Sequence, residues 1–309
     1  MTVISLQHVT KDYGHGRGIF DVSFNVEKGS VYGFLGPNGA GKTTAIRHIM
    51  GFSKPQQGIV TVNGLDSWTN ASTIQEKLGY LPGEVALPEN LTGEQFIQMM
   101  MDLRKVKDDT NCKKLIEFFE LEASGKIKRM SLGMKRKLAI VSAFMHDPDV
   151  LVLDEPTSGL DPIMQQRFID FVKEEKKRGK TILLSSHIFT EVDSTCDEIS
   201  IIKDGHLISS FNKQELLKMT EKIFTLKVQN EMQYKQLVQK IESNEAFNLL
   251  LKNDQTNDLQ IGCYPSDLSK LIKILADFPI SSFNEVPFSL EKHFMEFYDR
   301  RVGGELPWQ

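Results

Sequence analysis

The chain has 309 residues, 40% of them hydrophobic and 25% charged, a balance that suits one large globular domain plus a smaller one and excludes extended disorder. Its net charge of -4 and pI near 6.0 argue against a nucleic-acid-binding surface over the whole molecule, leaving residues 126–137 (KIKRMSLGMKRK) as a local basic patch. Three widely spaced cysteines, Cys112, Cys196 and Cys263, form neither a paired framework nor a C-x-x-C, which argues against disulfides or zinc and suits a reducing cytosol.

At the amino terminus no basic stretch precedes an apolar core, so no leader is expected. The longest apolar runs, such as 150–153, fall far short of the roughly eighteen residues that cross a bilayer. Any membrane role is therefore expected to come through a partner. Runs at 3–9, 19–26 and 31–35 predict strands. The third leads directly into Gly36-Pro37-Asn38-Gly39-Ala40-Gly41-Lys42-Thr43-Thr44, which satisfies the phosphate-binding pattern G-x-x-x-x-G-K-[ST] in its strand–loop–helix setting. Its glycines let successive backbone N–H groups turn toward one anion, and the helix that follows adds the positive end of its dipole. Lys42 is expected to reach the terminal phosphates of a nucleoside triphosphate. Thr43 is expected to offer its hydroxyl to Mg²⁺, which prefers oxygen ligands and is usually shared with phosphate.

Strands are next predicted at 59–62 and 78–81. No convincing strand follows between 88 and 146, which reads as a helical insert: Thr92 with Gln95 forms a capping box, and 112–121 carries apolar positions at helical spacing. The run Met99-Met100-Met101 reads as core filling. Residues 150–153 form an apolar strand that ends in Asp154 and Glu155, the arrangement by which a nucleotide hydrolase places one acid on the metal and another beside the attacking water. Further strands at 181–185 and 199–202 complete an alternation that predicts a mainly parallel α/β sheet.

The character changes after about residue 215. A strand at 223–228, a helix at 231–241, strands at 248–252 and 259–264, a helix at 266–278 and a strand at 280–286 give the order βαββαβ, a small α+β domain of ferredoxin-like type. The predicted division is 1–215 for the nucleotide domain, with its helical insert at about 88–146, and 216–300 for the accessory domain. A closing helix is expected at 289–298 and a flexible tail at 301–309.

The motifs in this order resemble the ATP-binding subunits of ABC transporters over residues 1 to about 215. The resemblance implies a P-loop nucleotide hydrolase fold, with ATP and Mg²⁺ as ligands and ATP hydrolysis as the reaction. It implies that Asp154 belongs to the metal shell, that Glu155 orients the attacking water, and that His187, after Ser185-Ser186, contacts the γ-phosphate. Tyr13 takes the place of the aromatic that stacks on adenine. The family's signature motif is present in altered form as Met130-Ser131-Leu132-Gly133-Met134. There Ser131 and Gly133 are implied to contact the γ-phosphate bound to a second copy or a homologous ATPase subunit, with Asp161 in the loop that meets its counterpart across that interface.

A second departure is Gly83, where the family normally has a glutamine. The adjacent Glu84 either offers an oxygen toward Mg²⁺ or water, or points into solvent. The altered motifs and the extra carboxyl-terminal domain are similar to the bacitracin-resistance and multidrug or antimicrobial-peptide export branch. That branch implies a peripheral subunit on the cytoplasmic face of the membrane, partnered by membrane-spanning permease subunits and not by nucleic acid. Two other readings are a soluble ABC ATPase acting on ribosome or DNA, and a nucleotide-gated regulatory module.

Overall fold

Alternating buried positions draw the first strands into an antiparallel sheet, with Ile4, Leu6 and Val9 of β1 (Thr2–Asp12) facing Val22, Phe24 and Val26 of β2 (Gly18–Glu27). In this computed structural model, which describes residues 1–291, the chain forms two units, 1–211 and a second beginning at Asn212. The first unit continues with β3 (Val31–Leu35), α1 (Lys42–Ile49), β4 (Gln57–Val62), β5 (Leu65–Asp66), α2 (Ala71–Lys77) and β6 (Leu78–Leu81). The insert is helical as predicted: α3 (Gly93–Leu103), α4 (Thr110–Phe118) and α5 (Leu132–Phe144). The capping box is formed in full, the Gln95 amide donating to Thr92 Oγ1 at 3.1 Å and the Thr92 amide to Gln95 Oε1 at 2.9 Å. Only Met101 of the methionine run is core; Met99 and Met100 are half-buried, and Met99 lines a surface groove with Gln98 and Leu103.

Then come β7 (Val150–Asp154), α6 (Pro162–Lys177), β8 (Thr181–Ser186), α7 (Phe189–Thr195), β9 (Glu198–Lys203) and β10 (His206–Asn212). The sheet that carries the phosphate loop has the order β10-β9-β3-β8-β7-β6, and its pairings β3 with β8 and β9, and β7 with β6 and β8, are parallel. Every residue of β3, β7 and β8 is buried, as expected of strands covered on both faces. The expectation of a mainly parallel sheet holds for this layer. The amino-terminal strands depart from it, forming a separate antiparallel sheet in the order β2-β1-β4-β5. Strand β10 was not expected either. The turn Asp204-Gly205, with φ of 49° and 79°, is a two-residue hairpin connection and was its signal in the sequence.

In the second unit α8 (Lys213–Met219) precedes β11 (Lys222–Val228), α9 (Glu231–Glu242), β12 (Phe247–Asn253), β13 (Asp258–Cys263), α10 (Leu268–Leu275) and β14 (Ile280–Val286). The sheet order β12-β13-β11-β14 places the first and third strands of the βαββαβ unit at the centre, the ferredoxin-like arrangement. Phe224, Leu226, Leu237, Ile241, Leu259, Ile261 and Leu271 make its own core. The predicted closing helix begins at Leu290 and Glu291; the rest of it and the tail lie outside the described residues.

Candidate nucleotide-binding and hydrolysis site

Four adjacent parallel strands end on one edge of the sheet, and their carboxyl ends carry the predicted site. Register aligns them: Leu35 pairs with Ser186, Ser185 with Asp154, and Leu153 with Leu81. Ligands of open α/β sheets bind at this edge. The phosphate loop leaves β3 at Gly36, where a β-carbon would lie 2.3 Å from the carbonyl oxygen of Ile202, so only glycine fits. It re-enters helix at Gly41, whose φ of 108° favours glycine as well. The Gly205 amide of the unexpected hairpin donates to the Ala40 carbonyl at 3.0 Å and so braces the loop from behind.

Lys42 is almost fully buried; its ammonium donates to the carbonyls of Gly36 at 2.6 Å and Pro37 at 3.1 Å and forms an ion pair with Oε1 of Glu155 at 3.0 Å. The other oxygen of Glu155, Oε2, lies 2.6 Å from Nδ1 of His187. Glu155 sits in the left-handed region at φ 48°, and its amide donates to the Ser185 carbonyl at 3.1 Å, which aims the carboxylate at the loop. Fully buried Asp154 accepts from Thr43 Oγ1 at 2.9 Å through one oxygen and from Ser185 Oγ through the other.

A cavity of about 560 Å³ opens in front of these groups, lined by Tyr13, Arg17, Asn38, Gly39, Gly41, Lys42, Thr43, Thr44, Arg47 and Glu155. Tyr13 is half exposed, with Lys11 Nζ 5.7 Å from its ring centre, and Gly36 and Ala40 lie behind the loop rather than on the cavity wall. The wall thus carries an aromatic ring, loop residues with a lysine, and the carboxylate of Glu155, whose imidazole partner His187 is not part of it.

A family model described as ABC transporter matches residues 19–158. An uncharacterized ABC transporter ATP-binding protein of Bacillus subtilis, YhcH, is 32% identical over 304 residues, 96% of this chain and 95% of its own length. The chain belongs to the ABC transporter ATP-binding protein family. The bacitracin transport ATP-binding protein BcrA of Enterococcus faecalis is 35% identical over 223 residues, 71% of this chain and 72% of that protein. A solved structure described as an ATP binding subunit of an ABC transporter superposes with a TM-score of 0.63 at 29% identity, covering 70% of this chain and 92% of that one.

The remaining predicted residues of this ABC ATPase do not line the cavity. Ser131 caps α5, its Oγ accepting from the Met134 amide at 3.2 Å, with exposed Leu132 beside it. Gly133 packs against the turn after β7, where a β-carbon would come within 3.1 Å of the Gly159 carbonyl. Asp161 caps α6 by accepting from the Met164 amide at 3.0 Å. Glu84 is exposed and lies off the cavity wall, so of the two openings left by the sequence the geometry favours solvent. Gly83 approaches the metal-side acid closely: a β-carbon there would lie 3.1 Å from Asp154 Oδ2.

Sequence reading passed over Arg17 and Arg47, exposed cations on the cavity wall, and two buried groups beneath it. Glu191 of α7 is 1% exposed and accepts from Ser186 Oγ at 2.5 Å, and burial pushes its carboxyl up to about 7. Arg136 of α5 is 2% exposed, and burial pulls its guanidinium below the ordinary value against the attraction of Asp154, Glu155 and Glu191. No helix among the described residues is long and apolar enough to cross a membrane. Among the same residues no group of three or more His, Cys, Asp or Glu is placed to hold a metal.

Proposed function

We propose that this ABC ATPase hydrolyses ATP in the cavity beside Lys42 and, as one of a pair of ATP-binding subunits, drives separate membrane-spanning permease subunits in export. The observation that carries the reading is the convergence of Lys42, Glu155 and His187 beside the phosphate loop, with Glu155 bonded to both of the others. Tyr13 stacks on the adenine. The loop amides of Asn38 to Thr44, together with Lys42, hold the β- and γ-phosphates. Glu155 orients the attacking water and takes its proton, and His187 holds Glu155 and the γ-phosphate in register.

The residues present fit a magnesium ion. Thr43 and Asp154 bring two oxygen donors to within 2.9 Å of each other beside the loop, and an ion of this kind completes its shell with water and phosphate oxygens. When bound it neutralises charge on the β- and γ-phosphates. Thr43 and Asp154 would hold it; exposed Glu84 is left out of that set.

Ser131, Gly133 and Asp161 lie outside the chain's own cavity, the first two at the start of α5 and Asp161 as the carboxylate cap of α6. The reading assigns them to the γ-phosphate and loop of a partner subunit, so that ATP holds the closed pair together and hydrolysis releases it. The subunit is then peripheral, on the cytoplasmic face of the membrane. Relatives named for bacitracin transport and for linearmycin resistance support the export reading. Mass spectrometry of proteins co-purifying with the tagged chain from gently solubilised native membranes is the test. A polytopic membrane protein near one-to-one is expected; recovery of ribosomal or DNA-repair proteins would contradict the reading.

A further inference from the structure

Arg136 occupies a position that none of the expected motifs accounts for. Its guanidinium is buried, carries five donors and no acceptor, and is spent on backbone carbonyls. Nη1 donates to Pro82 O at 2.7 Å, Nη2 to Gly83 O at 2.5 Å, and Nε to Ser158 O at 3.0 Å. One side chain of α5 therefore holds the turns that follow two neighbouring strands, β6 and β7. Both turns bear on the site. Gly83 lies against the carboxylate of Asp154, and the Ser158 amide donates to the Glu155 carbonyl at 3.1 Å, closing the turn that begins at Glu155.

We infer that Arg136 is a positioning residue that ties the amino terminus of α5, with Ser131 and Gly133, to the alignment of Glu155 and Asp154. Arg136 stands five residues after Ser131 on the same helix, about 7.5 Å along its axis, so a shift of the helix start moves the guanidinium with it. Planar geometry lets one arginine serve two loops, whereas lysine is a point charge on a flexible stem and glutamine has two donors on a shorter reach. Gly83 strengthens the case: it has no side chain to act, and Arg136 grips this turn through the backbone carbonyls of Pro82 and Gly83. Gly133 makes a second contact between the same helix start and the same turn, at Gly159.

This inference rests on the reading of the cavity as an ATPase site, and its test has one readout that does not. The full-length wild type is compared with Arg136→Lys and Arg136→Gln in steady-state ATP hydrolysis, thermal unfolding and hydrogen–deuterium exchange. The expected result is a kcat lower by about tenfold to a hundredfold with KM within about twofold, because Tyr13 and the phosphate loop keep their places while the Glu155 carboxylate loses its alignment. Exchange should rise in residues 82–84 and 156–160 and stay unchanged in the phosphate loop. A kcat within about twofold of wild type in both variants would overturn the inference, as would exchange that rises evenly across the unit. Should the wild type itself fail to hydrolyse ATP, the functional reading falls and exchange alone decides: selective loosening of the two turns supports the clamp, and uniform exchange overturns it.

Discussion

Glu155 and His187 meet at 2.6 Å between Oε2 and Nδ1, while the other oxygen of the same carboxylate holds Lys42. One side chain thus joins the ends of three adjacent strands, β7, β8 and, through the phosphate loop, β3. Phosphoryl transfer depends chiefly on alignment and charge neutralisation, so a group that fixes a lysine, a histidine and a water position at once has a large share in the rate.

Replacing Glu155 by Gln keeps the shape and removes the base. Hydrolysis should fall by at least about a hundredfold while the affinity for ATP changes by only a few-fold. Phosphate release measured beside a fluorescent-nucleotide titration separates the two. Hydrolysis at the wild-type rate would remove Glu155 from the water-orienting role.

Because His187 acts on the group that Glu155 also serves, the two should not behave independently. His187→Ala alone is expected to lower kcat by about tenfold or more, and the double variant Glu155→Gln/His187→Ala to be no slower than Glu155→Gln by more than about threefold. Additive losses in the same assay would place the histidine in a separate step.

Tyr13 is on the cavity wall and half exposed, so its ring is accessible for stacking. Tyr13→Ala should raise KM for ATP by roughly five- to a hundredfold, the equivalent of about 1–3 kcal/mol of base stacking, with kcat unchanged. Tyr13→Phe should retain wild-type kinetics. An unaltered KM in the alanine variant would put the adenine elsewhere.

Two buried groups give opposite contributions to stability against pH. Glu191 stays protonated in the folded chain up to about 7, whereas it ionises near 4.5 when unfolded, so its contribution is fully present below the lower value and is lost as pH rises through the upper one. The loss amounts to about 3 kcal/mol. His146 is pulled down to about 4, first by burial and then by Arg104, whose Nη1 lies 2.8 Å from its Nε2. Its unfolded form takes up a proton near 6.5 and the folded form does not, so stability falls as pH drops from there toward 4. Stability of Glu191→Gln should therefore rise more steeply with pH between 4.5 and 7 than that of the wild type. Urea unfolding at a series of pH values checks this; parallel curves for the two proteins would refute it.

Much of this site is legible in the sequence because its parts are contiguous. The phosphate loop, Asp154-Glu155 and Ser185-Ser186-His187 are short strings whose strand ends are marked by apolar runs, and the sheet needs only to bring those ends together. What escaped is what acts across the fold. Arg136 reads as one more cation of the basic patch 126–137, and its meaning comes from three carbonyls 22 to 54 residues away. Strand β10 escaped because its serines and asparagine weaken the apolar pattern, although Asp204-Gly205 marked the turn. The separate antiparallel sheet was hidden because period-two alternation identifies strands without telling which sheet they join. Met99 and Met100 were read as core because apolar character alone does not say which face of α3 is covered.

ATP is proposed to join this subunit to a second ATP-binding subunit through residues that lie outside the chain's own cavity, and a second copy of the chain can serve as that partner. Multi-angle light scattering of Glu155→Gln, with and without Mg²⁺ and ATP, tests it most directly. The account predicts a shift from the 35.1 kDa of one chain to twice that mass when ATP is present, abolished by adding Ser131→Arg. A mass that stays at one chain at saturating ATP, with nucleotide demonstrably bound, would contradict it.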